Sequence, residues 1–255
     1  MIQILTMIAV LAAAPVLEPI PHPEITGAPP APGHGAFQMP PSAVIIDGER
    51  VAVAWNDGDS FGFLEGKFVK QRVRLMGYNA LESYGPVHSW GKWKPLELYE
   101  LTKASTRYAR SKVWHCTWDG NKDHYGRMLV LCRDLVAGMV AEGFGHVYAL
   151  QPPVDESLLS LQREAIDAKR GMWAKGVPEG LVTSVHSISE GGGGKDKTYD
   201  RVISPLTGLS HEEHHGQSYA ACQTVCHAGS CLVYVPFDKR YGADRVACVR
   251  TKGLY

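Results

Sequence analysis

The chain has 255 residues, with 26 Lys and Arg against 26 Asp and Glu, for a formal net charge of zero. That length allows one substantial domain plus a smaller one. Zero net charge excludes a protein that coats nucleic acid or anionic membranes through bulk charge, so any site for a polyanion must be a local cluster.

Residues 1–19, "MIQILTMIAVLAAAPVLEP", carry an apolar core of signal-peptide length and a small-residue stretch suited to cleavage. No Lys or Arg precedes Arg50, which makes the leader atypical. The expectation is a signal peptide over 1–19 and a secreted or periplasmic protein. Residues 20–42 are rich in Pro, Ala and Gly and read as an extended linker.

Patterned structure follows over 43–178. "RVAVAW" (50–55) and "SFGFL" (60–64) alternate as strands, joined by the turn signal "NDGD". "KFVKQRVRLMGY" (67–78) reads as a third, longer strand. "LELYELTKASTRYARSK" (96–112) has a helical pattern. "VWHCTW" and "GRMLVLCRD" form a hairpin across "DGNKDHY". "VAGMVAEGF" is a short helix ending at Gly143. "DESLLSLQREAIDAKRGMW" (155–173) is a helix with Leu158, Leu161, Ala165 and Ala168 on one face and Gly171 past its end. This order predicts an α+β fold: a five-stranded barrel with three helices packed on it.

Residues 179–200 contain "SISEGGGGKDK" and read as a second, Gly-rich linker. The remainder, 201–255, holds four of the six cysteines: Cys222, Cys226, Cys231 and Cys248. In an exported chain this is a disulfide framework. Zinc is the rival reading, encouraged by "HEEHH" (His211 to His215) and His227, but the C-x3-C-x4-C-x16-C spacing lacks the C-x2-C knuckle. The tail is expected as a small module, with a helix carrying the C-x3-C pair and then one or two strands. Cys116 and Cys132 sit near the middle of the two hairpin strands, either paired across the ladder as a disulfide or left as two buried, unpaired thiols.

Chemistry concentrates in the charges that break the apolar pattern: Asp57, Asp59, Arg74, Glu82 and Arg127. Two arginines offer bidentate contact to phosphate oxygens. The acidic turn offers oxygen ligands to a hard divalent cation, and a lone carboxylate can orient or deprotonate water. Taken singly, each is more often a turn residue, a salt-bridged strand residue or a solvated hairpin residue. Together they are an inventory for phosphodiester cleavage. Trp90, Trp93 and Trp114 are either base-stacking aromatics or packing residues, more often packing.

The motifs "NDGDSF", "VRLMGYNALES", "DHYGRMLV", "AEGFGHVY" and "REAIDAKRGMW" occur in an order and at spacings that resemble the staphylococcal nuclease (thermonuclease) family, over about residues 48–176. The resemblance implies an oligonucleotide/oligosaccharide-binding (OB) barrel and a Ca2+-dependent nuclease acting on DNA and RNA as a monomer, with no stable protein partner. It further implies that Asp59 is a metal-binding aspartate. Arg74 and Arg127 are then phosphate-contacting arginines, Glu82 is the glutamate that works through water, and Ala80 supplies a carbonyl to the metal. His124 and Tyr125 fall beside positions that hold a neighbouring phosphate. Asn79 stands where the family carries a second metal-binding aspartate, and Leu81 where it carries proline. An amide oxygen still ligates calcium, with one charge fewer. The alternatives are a catalytically silent nucleic-acid-binding barrel and an envelope attachment protein that acts through its tail.

Overall fold

The first barrel strand starts at the last residue of the Pro-rich stretch. In the computed structural model of the chain, which describes residues 42–190 and 198–250, β1 (Ser42–Ile46) turns into β2 (Glu49–Trp55) through Asp47 and Gly48. Both turn residues have positive φ, 51° and 80°. That geometry marks a two-residue hairpin loop and favours Asp-Gly. The expected signal peptide (1–19) and nearly all of the first linker (20–42) lie outside the described residues.

β3 (Ser60–Phe63), β4 (Arg72–Leu75), β7 (Trp114–Lys122) and β8 (Met128–Leu131) complete a closed barrel of order β1-β2-β3-β4-β8-β7. It has six strands where five are expected, because "SAVII" adds one and pairs in parallel with β7. Its fold fits the OB type. The third strand is also shorter than expected. Gly66 (φ 74°) and Lys70 (φ 69°) wind residues 65–70 into turns, and Gly77 (φ 88°) separates β4 from β5 (Tyr78–Ala80). Val44, Val53, Phe61, Val73, Met128 and Val130 fill the interior, each nearly inaccessible to solvent.

Three helices cover the barrel as their patterns require: α1 (Pro95–Arg110), α2 (Arg133–Ala141) and α3 (Glu156–Asp167). Pro95 occupies the first helical position, where its missing N–H is harmless. Asp155 caps α3 by accepting from the backbone of Ser157 and Leu158. α3 stops at Asp167, short of the expected end at Arg170, with Lys169 left-handed at φ 53°. Gly171, expected just past its end, begins a single 3-10 turn over Gly171–Trp173. β9 (Gly145–Val147) pairs antiparallel with β5, setting Asn79 opposite His146.

The linker expected over 179–200 contains β10 (Leu181–Ser184), with Leu181 and Val182 buried; residues 191–197 lie outside the described residues. β10 pairs with β11 (Tyr199–Ile203), which pairs with β12 (Ser210–His214). β13 (Thr224–His227), β14 (Ser230–Val233) and β6 (His88–Trp90) form another sheet. Because β14 pairs with β6, the tail is continuous with the barrel domain. Tyr84 and Val87 share one apolar cluster with Val182, Tyr219, Leu232, Tyr234 and Val249. A fourth helix, the single turn α4 (Ala247–Arg250), ends the described chain.

All six cysteines are paired: Cys116–Cys132, Cys222–Cys248 and Cys226–Cys231. Three disulfides point to an oxidising compartment. The expected tail helix is absent, because Cys222 sits in a turn at φ 70° while Cys226 lies in β13 opposite Cys231. The histidines face carboxylates: His211 to Glu213, His214 to Glu212, and His215 and His227 to buried Asp200. Among the described residues no helix is long and apolar enough to cross a membrane.

Candidate active site

The β2–β3 turn is built to aim one carboxylate inward. Asp57 closes it, its Oδ1 accepting from the Ser60 hydroxyl at 2.7 Å and from the Asp59 N–H at 3.2 Å. Gly58 has no room for a side chain, since a Cβ there would strike the Ser105 hydroxyl and lie 3.0 Å from the Ala80 Cβ. The Tyr78 hydroxyl donates to the Gly58 carbonyl and pins the turn from below. Asp59, only 4% exposed, therefore points at β4 and β5.

Arg74 meets it there. β4 alternates, with Val73 and Leu75 buried in the core, so Arg74 faces the other way, across from Ser60. Its guanidinium pairs with Asp59 and also donates to Oδ1 of Asn79. Burial works against its charge, but the charge and hydrogen bond of Asp59, with the charge of Asp57, together hold Arg74 above its usual range. The second Asp59 oxygen accepts the Ala80 N–H at 2.7 Å. Asp59, Arg74, Asn79 and Ala80 thus form one connected group.

Asn79 is oriented from behind by His146. Its Nδ2 lies 3.4 Å from His146 Nε2 and donates at 3.1 Å to the Ala80 carbonyl. His146 Nδ1 lies 3.1 Å from the Val147 carbonyl. Burial lowers His146 to about 4, so the ring is neutral, and the tautomer consistent with both contacts leaves Nε2 as an acceptor. The Asn79 amide therefore presents its oxygen to the site.

Glu82 follows β5 and is half-buried. Its N–H donates to Nε2 of His88 at 3.0 Å, and burial lowers His88 to about 3. Burial raises the Glu82 carboxyl, against the opposing charges of Arg240, Arg74 and Arg127. Arg127 is thus close enough for its charge to act on Glu82. It is held by Asp123, whose Oδ2 accepts from Nε at 2.7 Å and whose Oδ1 accepts the Arg127 N–H at 2.9 Å. Tyr125 lies under its guanidinium, 5.5 Å from ring centroid to Cζ, and the His124 ring lies 3.7 Å from the Tyr125 ring, tilted by 42°. Both of these residues are exposed at the hairpin tip.

Trp90 and Trp114 are buried, and the indole N–H groups of Trp90, Trp93 and Trp114 bond the carbonyls of Gly176, Met172 and Ala109. They are packing residues. Sequence reasoning missed His146, His88 and Asp123. His146 stood within a quoted motif, but nothing local tied it to Asn79.

Among the described residues no three His, Cys, Asp or Glu side chains converge into a preformed metal cluster. The donors present are nonetheless all oxygens: Asp59, Asn79, the Ala80 carbonyl and Asp57. Burial, then the charge of Asp59, pushes Asp57 up to about 8. Two neighbouring acids, one buried and one half-buried, suit a hard divalent cation. The all-oxygen donor set fits calcium, with one negative charge fewer at Asn79 than an aspartate there would supply.

Residues 72–175 match the family model described as Staphylococcal nuclease homologue. The match spans Arg74, Asn79, Ala80, Glu82, His124, Tyr125 and Arg127, and begins after Asp57 and Asp59. A comparison with curated proteins found no match to this chain.

Proposed function

We propose, from the premise that residues 72–175 are a staphylococcal nuclease homologue segment, that this chain hydrolyses phosphodiester bonds of DNA and RNA with low sequence specificity. The observation that carries the reading is the joining of Asp59, Arg74 and Asn79 at one point, with Glu82 and Arg127 in electrostatic reach.

Arg74 and Arg127 bind the scissile phosphate through their guanidinium N–H groups and stabilise the charge that grows on its oxygens. Glu82 Oε accepts a proton from the attacking water as the new P–O bond forms and the bond to the leaving oxygen breaks, that oxygen taking its proton from solvent water. A carboxyl raised by burial is a better base than an exposed one. Tyr125 and His124, exposed beside Arg127, hold the adjoining strand. Asp59, Asn79 and the Ala80 carbonyl would hold Ca2+, which supplies positive charge against the phosphate when bound. The three disulfides support secretion or a periplasmic location, and the protein acts as a monomer without a stable protein partner.

The reading is tested by release of acid-soluble nucleotides from single-stranded DNA and from RNA, with calcium or with chelator. Release from both polymers with calcium alone is expected. Binding without release would leave the catalytically silent barrel as the better reading.

A further inference from the structure

Arg240 and Tyr241 lie outside the segment matched to the nuclease family, yet they are built against the site. Arg240 sits over the ring of buried Tyr84, two residues past Glu82, at 5.2 Å, and over Phe237 at 5.7 Å. Its Nε donates to the Val235 carbonyl at 3.1 Å. Its two terminal nitrogens make no hydrogen bond or ion pair with a described residue, Glu82 included. A guanidinium fixed on three sides with free donors matches a phosphate group.

Tyr241 meets Tyr84 edge-on, with centroids 6.1 Å apart and rings at 78°, and is 59% exposed. Burial, then the charges of Glu82 and Asp57, pushes its hydroxyl up to about 12, so those charges act on it from within electrostatic reach. The segment is anchored twice. The Cys222–Cys248 bridge brackets it, and the Val249 backbone packs so closely on Gly85 that a Cβ there would lie 3.2 Å from the Val249 Cα.

We infer that Arg240 and Tyr241 form a subsite for single-stranded nucleic acid beside Glu82, in which Arg240 takes a phosphate flanking the scissile one and Tyr241 stacks on an unpaired base. The inference rests on the proposed nuclease reading for its substrate class. A base in a duplex has no free face for Tyr241, so the subsite favours single strands.

The test is the affinity of the full chain for a fluorescent single-stranded octanucleotide, by anisotropy in chelator over a range of salt. Arg240→Gln is expected to raise Kd about tenfold, and to reduce the slope of log K against log salt by about 0.7, the loss of one phosphate contact on a single strand. Tyr241→Ala is expected to raise Kd at least about fivefold with the slope unchanged, as loss of one stacked base requires. A role confined to stability would lower the melting temperature and leave the slope alone. The exposed Tyr241 ring gives a second variant that keeps its fold. Unchanged Kd in both variants, or equal affinity for the duplex, would overturn the subsite. Octanucleotide binding that responds to both variants in a chain that cleaves nothing with calcium would sink the nuclease reading and leave the subsite standing.

Discussion

Asn79 and His146 face each other across the β5–β9 pair, the amide nitrogen 3.4 Å from a neutral imidazole nitrogen. The two residues act as one neutral unit where an aspartate would bring a charge. Asn79→Asp would set a carboxylate oxygen against the lone pair of His146 Nε2. The contact becomes favourable only when His146 takes a proton, so its pKa should rise from about 4. Calcium should bind more tightly to the variant, by about tenfold or roughly 1.4 kcal/mol. The gain should shrink as the pH is lowered and His146 charges. Calorimetric titration of calcium at two pH values measures both effects. Equal affinities for wild type and variant would mean that Asn79 does not face the metal.

Arg74 and Arg127 should differ in what their loss does to the fold. Arg74 is the counter-ion of buried Asp59, so Arg74→Ala should cost about 3–5 kcal/mol of stability as well as activity. Arg127 is partly exposed, and its partner Asp123 can turn to water. Arg127→Ala should leave the melting temperature near that of wild type and lower the cleavage rate about a hundred- to a thousand-fold. Thermal unfolding alongside cleavage kinetics separates the two arginines. A strongly destabilised Arg127→Ala would assign that residue to the fold instead.

Burial holds His88 at about 3, with its Nε2 accepting from the Glu82 N–H. Its folded pKa is depressed below the unfolded value of about 6.5. Its contribution is therefore complete above that value and is lost as the pH falls toward 3. Asp57, raised to about 8, runs the other way and loses stability as the pH rises, so the total is a poor readout. The difference between wild type and His88→Gln isolates the histidine. Between pH 7 and pH 5, wild type should lose roughly 2 kcal/mol more than the variant in denaturant unfolding. Parallel curves would show that His88 is not held neutral.

The two tail disulfides should be unequal. Cys222–Cys248 closes 26 residues and Cys226–Cys231 only 5. By loop-closure entropy these correspond to about 3.5 and about 2 kcal/mol. Double Ser variants should therefore melt in that order, and the first should also weaken octanucleotide binding, because its loop carries Arg240 and Tyr241. The reverse order of melting temperatures would contradict this.

Much of the barrel was legible because period-2 patterns such as "RVAVAW" and the helical face of Leu158 and Ala165 are local signals. β1 is hard to see in the sequence, although "IIDGERV" carries an Asp-Gly hairpin turn, because it directly follows a Pro-rich stretch with no strand period. The inward charges Asp59, Arg74 and Glu82 stood out against an apolar pattern. Their partners did not. Asn79 and His146 are 67 residues apart in sequence, and Glu82 and Arg240 are further apart still, so only closure of the fold joins them. The tail misled for the same reason: β14 pairs with β6, a strand of three residues too short to announce itself.

The most direct measurement of the central claim is conversion of supercoiled plasmid by the full chain in calcium, with wild type and Glu82→Gln compared at equal folded concentration. Glutamine keeps the size and position of the side chain but cannot take a proton from water. The expected result is rapid nicking by wild type, abolished by chelator, and a rate at least about a hundredfold lower for Glu82→Gln. Nicking by Glu82→Gln at the wild-type rate, or no nicking by wild type in calcium, would contradict hydrolysis at this site.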